Sequence, residues 1–293
     1  MQELIEKIDS LSIWPGPIDC QPLSGGITNQ NFLVTASNGK FVVRLGDDID
    51  EHQIKRFNEL AASHAAHEAG LSPAVVHSES GVLVLEYIAS RTLEESDIRD
   101  PEMLARIVPL IKKCHQKIPE YLRGAVLIFW VFHVVRDYCW TLKKGESNHL
   151  SKLNDLQEKS KKLENAAGPH DIVFGHNDLL CGNFLDDGNR LWLIDWDYAG
   201  FNSPLFDLGG LASNNGLSET QEKWLLETYF ETPLIDQLWL RYRAMKCASL
   251  LRETLWSMVS ELHSKLDFDY AAYSVQNLAK FEQTFQNFEQ MNS

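Results

Sequence analysis

Alternation of apolar and polar positions predicts a small antiparallel sheet in the first third of the chain. The alternating segments 30–34 and 41–45 flank 37–40 (Ser-Asn-Gly-Lys), a run of turn-forming residues, and together they form a hairpin signal. Two more strand-like segments follow near 75–77 and 82–87. These four segments predict the strands of one small sheet.

Helical spacing of apolar residues describes much of the remaining chain. A helix is predicted from about Glu51 to Ala69, closed by Gly70. From about Pro101 onward the pattern is helical, with one hairpin interrupting it. The longest apolar run, 125–132, is far shorter than the roughly 20 residues that span a bilayer. We interpret this run as a buried helix segment and predict no membrane span.

The change from strand to helix pattern places a domain boundary near Ser90. The chain has 293 residues, of which 44% are hydrophobic, enough to fill the cores of two lobes. The predicted fold class is α+β, with a small lobe over 1–90 and a larger, mainly helical lobe over 91–293.

Three polar residues have the spacing of a metal-assisted phosphoryl-transfer site. Asp178 and Asn183 are five residues apart, and Asp195 follows after the strong turn 186–189 (Asp-Asp-Gly-Asn). In kinase-type transfer an aspartate accepts the hydroxyl proton, while an asparagine five residues later and an aspartate on the following strand hold Mg²⁺. Each residue alone would be an ordinary turn former. Together they predict Asp178 as the catalytic base and Asn183 and Asp195 as metal ligands.

Other polar residues nearby have several possible roles. His-x-Asp can bind zinc, but no second histidine or cysteine stands at ligand spacing from His176, so we expect this histidine to orient the catalytic loop. Asp207 is expected to begin a helix and brace the same loop, with a plain helix N-cap as the alternative. Asp197 is a candidate contact for a second ion or for the acceptor amine.

The segments 175–195 and 194–210 resemble the phosphotransferase signature shared by choline/ethanolamine kinases and aminoglycoside phosphotransferases. The form Ile-Asp-Trp-Asp-Tyr-Ala-Gly is most similar to the choline kinase version. Segments 24–32, 85–93 and 255–273 resemble that family's phosphate loop, interlobe hinge and C-terminal helical segment. The resemblance implies a protein-kinase-like bilobal fold and ATP-dependent phosphorylation of a small cationic alcohol such as choline or ethanolamine, with ATP and Mg²⁺ as cofactors.

The resemblance also assigns nucleotide-binding residues. Arg44 is expected to pair the α- and β-phosphates, held by Glu59 on the next helix. Glycines after a strand let backbone N–H groups approach phosphates, and neighbouring side chains can add donors. The remaining positions assigned to the nucleotide are Ser24, Gly25, Gly26, Thr28 and Asn29 in the phosphate loop and Glu86 and Tyr87 in the hinge.

Aromatic residues are the expected walls of the acceptor pocket, because ring faces and a carboxylate bind ammonium groups. Matching positions are Tyr198, Trp256, Tyr270 and Tyr273, although aromatics on helices are usually core residues. Where eukaryotic choline kinases carry a further tryptophan, this chain has Glu253. An acidic side chain there suits a primary or secondary ammonium as well as choline.

Charge and cysteine content narrow the classes of protein to which this chain could belong. A net charge of −14 disfavours a nucleic-acid partner, which would need clustered Lys and Arg, and is compatible with a cationic substrate. The five scattered cysteines suggest reduced thiols, and the acidic N-terminal segment is unlike a signal peptide. We therefore expect a cytoplasmic protein, while the sequence predicts no particular oligomeric state.

Three alternatives stay open at this point. The acceptor could be another alcohol, such as an aminoglycoside, thiamine, methylthioribose or a sugar. The chain could be a catalytically inactive binding protein of the same fold. A metal hydrolase built on 176–178 would need zinc or manganese and no nucleotide.

Overall fold

A computed structural model describes residues 1–23, 29–169, 171–264, 266 and 268–290. The strands are β1 (Asp19–Leu23), β2 (Gln30–Ala36), β3 (Gly39–Leu45), β4 (Val75–Glu79), β5 (Val82–Glu86), β6 (Arg91–Thr92), β7 (Val173–Gly175), β8 (Phe184–Asp186), β9 (Leu191–Leu193) and β10 (Gly200–Asn202). The helices are α1 (Gln2–Asp9), α2 (Arg56–Glu68), α3 (Glu95–Ile98), α4 (Pro101–Tyr121), α5 (Val131–Lys144), α6 (Leu150–Ala167), α7 (Pro204–Asn215), α8 (Glu219–Phe230), α9 (Asp236–His263) and α10 (Tyr270–Gln290).

The N-terminal part is an antiparallel sheet in the order β1-β2-β3-β5-β4. The predicted hairpin is present as β2 and β3, in a register that sets Phe32 opposite Val43 and Val34 opposite Phe41. All four side chains are buried in one core with α1, because alternate residues of a strand share a face. The strand predictions near 75–77 and 82–87 are likewise confirmed by β4 and β5.

The helix predicted from Glu51 begins later, at Arg56. Ile49 and Ile54 form a backbone bridge around a short 3₁₀ turn, and Gln53 has a left-handed φ of 58°. This tight loop uses backbone groups that a helix would otherwise pair. The predicted stop is confirmed, since α2 ends at Glu68 and Gly70 follows with a left-handed φ of 67°.

The expectation of a buried helix segment over 125–132 is wrong. The Phe201 N–H donates to the Leu127 carbonyl at 3.0 Å, and the Phe129 N–H donates to the Phe201 carbonyl at 2.9 Å. The segment is therefore extended and pairs beside β10, and Ile128 is 75% exposed. A short apolar run carries no period that separates helix from extended chain, and α5 begins only at its end.

The C-terminal part is mainly helical and surrounds two small strand groups. β7 pairs with β10, while β6, β8 and β9 form a three-stranded sheet containing the predicted catalytic hairpin. The long helix α9 packs against α5, α6, α7 and α10. The buried face of α2 joins this larger hydrophobic core. Because α2 belongs to the N-terminal part but packs into this core, the domain boundary near Ser90 remains a prediction.

No helix within the described part of the chain is long and apolar enough to cross a membrane.

Candidate active site

The catalytic loop lies between β7 and β8, and its backbone brings the three predicted residues together. The Asn183 amide Nδ2 donates to the Asp178 carbonyl at 2.8 Å. The β8–β9 hairpin returns the chain so that the Ile194 N–H donates to the Asn183 carbonyl at 3.0 Å. Asp195 follows with a left-handed φ of 68°, a conformation that is uncommon for non-glycine residues and more frequent for Asp and Asn than for most. Asp178, Asn183 and Asp195 thus share one site.

Asp207 braces this loop from the first turn of α7. Its carboxylate accepts the backbone N–H of His176 at 2.8 Å and of Asn177 at 2.7 Å, and His115 Nε2 donates to it at 2.8 Å. Burial alone would raise the pKa of Asp207, but these hydrogen bonds hold it below its ordinary value. The residue that caps the N-terminus of α7 is Ser203, so the N-cap alternative for Asp207 is wrong. The contacts of Asp207 are those expected of a residue that braces the loop.

His176 sits beneath the loop. It is fully buried, and its Nε2 donates to the Ile194 carbonyl at 2.8 Å while its ring packs on Trp196 at 4.7 Å. Burial lowers its pKa, so the imidazole is neutral. These contacts place the histidine between the catalytic loop and the residue preceding Asp195, where it fixes their relative position.

Removing the Asp207 carboxylate should destabilise the protein strongly. Asp207→Ala leaves two backbone N–H groups and a buried histidine without their acceptor, and breaking such a buried pair costs about 3–5 kcal/mol. We expect a matching loss in the free energy of unfolding measured by urea denaturation. Asp155→Ala, which removes an exposed ion pair with Lys159, is the control and should change stability by less than about 0.5 kcal/mol. Equal effects in the two variants would contradict the bracing role.

Arg44 connects the sheet to the catalytic hairpin. Its Nε lies 3.2 Å from Glu59 Oε1, and its Nη2 lies 2.8 Å from Asp195 Oδ1 and 3.2 Å from Asp197 Oδ1. Burial opposes the charge of this guanidinium, but the three carboxylates outweigh it and raise the pKa of Arg44. The predicted Arg44–Glu59 pair is therefore formed, and it lies directly beside Asp195, the predicted metal ligand.

Asp197 belongs to the same network. Beyond Arg44, its Oδ1 accepts from Arg56 Nη1 at 2.9 Å and its Oδ2 accepts from Asn29 Nδ2 at 2.8 Å. The side chain is only 3% exposed. Both carboxylate oxygens thus accept hydrogen bonds from residues of the N-terminal part. Asp197 therefore connects the sheet and α2 to the catalytic hairpin.

Asp178 lies next to an arginine that the sequence reasoning did not single out. Arg252 Nη1 is 3.7 Å from Asp178 Oδ1 and 3.0 Å from Glu253 Oε2. Burial raises the pKa of Asp178 to about 7, although Arg252 acts in the opposite direction. The Arg252 side chain is 5% exposed, and its guanidinium carbon lies 4.2 Å over the Tyr198 ring. One buried cation therefore contacts Asp178, a second carboxylate and an aromatic ring.

The predicted acceptor aromatics are close to one another. Trp256 Nε1 donates to the Tyr198 hydroxyl at 2.8 Å, and the Trp256 and Tyr270 rings are 6.1 Å apart. The Tyr273 hydroxyl donates to Glu253 Oε1 at 2.8 Å. These contacts, together with those of Arg252 to Tyr198 and Glu253, connect all five predicted acceptor residues into one group on α9, α10 and the loop before β10.

The nucleotide side is described only in part. Ser24, Gly25, Gly26 and Thr28 lie outside the described residues, while Asn29 is present and bonded to Asp197. In the hinge, the Glu86 N–H donates to the Ala74 carbonyl and the Tyr87 N–H donates to the Lys40 carbonyl. Those two donors are used within the sheet, so an adenine contact from the hinge requires other groups.

The described residues offer few protein ligands for a metal ion. No group of three or more His, Cys, Asp or Glu side chains in 1–23, 29–169, 171–264, 266 and 268–290 could hold one. Asn183 and Asp195 nevertheless fit Mg²⁺, which commonly takes one or two protein oxygens together with phosphate oxygens and water. Because Asn183 uses its Nδ2 on the Asp178 carbonyl, its amide oxygen remains as a ligand.

Sequence reasoning missed Arg252 and Arg56. Arg252 stands in an apolar stretch of α9, between Leu251 and Leu255 on the buried side, and a charged residue at such a position needs a partner. Arg56 was hidden because the predicted helix began before it. Its place at the first position of α2 directs it to Glu59, three residues later, and to Asp197.

Comparison with known proteins points to one family. A model of the choline/ethanolamine kinase family matches residues 20–226. The LicA protein of Haemophilus influenzae is 29% identical over 263 residues, covering 84% of this chain and 75% of LicA. A probable ethanolamine kinase of Arabidopsis thaliana is 26% identical over 285 residues, covering 86% of this chain and 75% of that protein.

Solved structures show the same architecture. The crystal structure of a choline/ethanolamine kinase family protein from Mesorhizobium loti has a TM-score of 0.77 and 28% identity, covering 97% of this chain and 94% of that one. The family match takes in well over half of the 293 residues. The chain therefore belongs to the choline/ethanolamine kinase family, and it is a nucleotide-binding, ATP-dependent phosphotransferase with a protein-kinase-like fold.

Proposed function

We propose that this kinase transfers the γ-phosphoryl group of Mg·ATP directly to the hydroxyl of a small cationic amino alcohol of the choline or ethanolamine type. The observation that carries the proposal is that Arg252 Nη1 reaches both Asp178 and Glu253. Because the same nitrogen contacts both carboxylates, the proposed base and the acidic residue are separated by no more than these two contact distances together. A two-carbon amino alcohol can place its hydroxyl at the first and its ammonium at the second.

Asp178 is the proposed catalytic base. Its carboxylate side chain is 19% exposed, so an acceptor hydroxyl can reach it. It orients that hydroxyl for in-line attack and accepts its proton as the new oxygen–phosphorus bond forms and the bond between the γ-phosphorus and the β-phosphate oxygen breaks, which releases ADP. No covalent phosphoenzyme is needed, because the acceptor oxygen itself attacks the γ-phosphorus.

Arg44 is the proposed partner of the nucleotide phosphates. It carries a charge that Glu59, Asp195 and Asp197 hold at the edge of the catalytic hairpin. Residues 24–28, which lie outside the described residues, are proposed to supply backbone N–H groups to the same phosphates. Asn183 and Asp195 would hold Mg²⁺, which when bound would supply positive charge beside the phosphates.

The acceptor ammonium is proposed to bind beside Glu253, near the aromatic residues Tyr198, Trp256, Tyr270 and Tyr273. Glu253 is 21% exposed and thus accessible to a ligand. His176 and Asp197 are proposed to act indirectly, the first by orienting the loop and the second by joining the sheet to the hairpin.

A panel of acceptors tests this proposal. We expect ADP release with ethanolamine or choline at a kcat/KM about 100-fold above that with an aminoglycoside, thiamine, methylthioribose or a sugar, because only the amino alcohols fill both ends of the site. A parallel preparation of Asp178→Asn measures any contaminating kinase. ADP release that depends on one of the other alcohols, and not on either amino alcohol, would overturn the proposal.

A further inference from the structure

The acceptor side of the site already contains a cation of the protein, and this resident charge restricts which ammonium can bind. We infer that Arg252 is a specificity-determining residue: its guanidinium, stacked on Tyr198 and paired with Glu253, favours acceptors whose ammonium carries N–H groups over fully methylated ones. This inference rests on the proposed function and narrows its substrate class.

The first observation concerns the ring face of Tyr198. A quaternary ammonium has no N–H and is bound mainly by aromatic faces. The Arg252 guanidinium carbon lies 4.2 Å over the Tyr198 ring, so that face is already used by a cation. A second cation on the same face would meet both the occupied ring and the repulsion of Arg252.

The second observation concerns Trp256 and Tyr270. They are only 4% and 6% exposed. The Trp256 indole stacks on the His52 imidazole at 5.0 Å and 28°, and burial lowers the pKa of His52 to about 3, so this neighbour is neutral. Trp256 also uses its N–H on the Tyr198 hydroxyl. The rings that would form a cage for a trimethylated ammonium are therefore largely covered by the protein.

The third observation concerns the carboxylate of Glu253. Arg252 donates to its Oε2 at 3.0 Å, and the Tyr273 hydroxyl donates to its Oε1 at 2.8 Å. Two carboxylate oxygens provide about four acceptor positions, so a fixed Glu253 still has lone pairs for a ligand. Those lone pairs bind an N–H donor well and a methyl group poorly, since charge-assisted hydrogen bonds are the stronger contacts.

Together these contacts define a pocket that recognises N–H groups rather than ring-stacked methyl groups. Ethanolamine and its mono- and dimethyl derivatives each keep at least one N–H on the ammonium, whereas choline has none. The resident guanidinium produces this selection in two ways: it covers Tyr198, and it holds Glu253 in place.

The methylation series on the unmodified protein is the first test. We expect kcat/KM, measured by ADP release, to be highest for ethanolamine and to fall most steeply, by about tenfold, at the last methylation, which removes the final N–H. Equal or higher kcat/KM for choline would overturn the inference while leaving the proposed function intact. Failure of every amino alcohol to elicit ADP release would instead reject the proposed function.

Variants of the two charged residues form the second test. Arg252→Met, of similar length but uncharged, should raise the ratio of kcat/KM for choline over ethanolamine about tenfold, because the Tyr198 face becomes open. The ratio is independent of the fraction of active enzyme, so partial unfolding does not obscure it. Glu253→Gln should raise the same ratio by weakening the contact with N–H donors.

Arg243→Met is the matched control. Arg243 lies on the same helix, about 13 Å along its axis from Arg252, and donates to the Asn287 carbonyl instead. It should leave the ratio unchanged. An Arg252→Met ratio equal to that of the control would overturn the role of Arg252, and if Arg252→Met does not fold, the methylation series and Glu253→Gln decide the inference.

Discussion

Asp178→Asn should lower kcat by roughly 100- to 10,000-fold, the usual contribution of a positioned general base. Asparagine fills the same volume and can still contact the acceptor hydroxyl, but it cannot take up its proton. The contacts of Arg44, Asn183 and Asp195 do not use the Asp178 carboxylate. The affinity for Mg·ATP, measured by calorimetry or by thermal shift, should therefore stay within about twofold of the unmodified protein.

The control for this variant is Asp171→Asn, the same chemical change at an exposed position just before β7. It should retain normal kcat. Near-normal turnover of Asp178→Asn would remove Asp178 from the mechanism. A parallel loss of Mg·ATP affinity would show instead that the substitution disturbs the whole loop.

The catalytic loop could be predicted well because its geometry is set locally. Asp178 and Asn183 are linked by a hydrogen bond across five residues, and the turn after Asp186 is built by Asp187, which accepts the N–H groups of Asn189 and Arg190. Residue types and spacing along a short segment contain this information. The β2–β3 hairpin was predictable for the same reason.

Elements whose shape depends on distant partners could not be predicted in the same way. The segment 125–132 is extended because it pairs with Phe201, and nothing in its own apolar sequence indicates that partner. A glycine is required at 200, since a Cβ there would lie 2.8 Å from the Leu127 carbonyl oxygen. Tertiary pairing thus overrode the local pattern.

The ion pairs of the site also could not be predicted from the sequence. Asp197 was predicted to contact a second ion or the acceptor amine, yet it accepts from Asn29, 168 residues earlier, and from Arg56, 141 residues earlier. Arg252 was overlooked because its partner Asp178 is on another element. Long-range ion pairs of this kind decide which charges remain available to substrates.

Asp195→Asn should abolish most of the Mg²⁺-dependent stabilisation of the protein by ATP. At an ATP concentration about 100 times the dissociation constant, ligand binding adds about 2.7 kcal/mol to the free energy of unfolding. Asparagine is a better replacement than alanine here, because the left-handed φ of 68° at this position is tolerated by asparagine and strained for alanine. The variant thus removes the charge of the proposed metal ligand with little change in backbone conformation.

Binding of ATP without Mg²⁺ provides an internal comparison for this experiment, because it depends on Arg44 rather than on the metal. Without Asp195, Arg44 keeps Glu59 and Asp197, so a positive group for the phosphates is retained. ATP without Mg²⁺ should therefore raise the melting temperature of the variant at least as much as that of the unmodified protein, while addition of Mg²⁺ should produce little further rise. Asp171→Asn, the same chemical change at an exposed position, serves as the control and should show the full Mg²⁺-dependent shift. A normal Mg²⁺-dependent shift in Asp195→Asn would show that the charge of Asp195 does not hold the metal, because replacing a carboxylate by an uncharged amide should weaken the binding of a hard divalent cation.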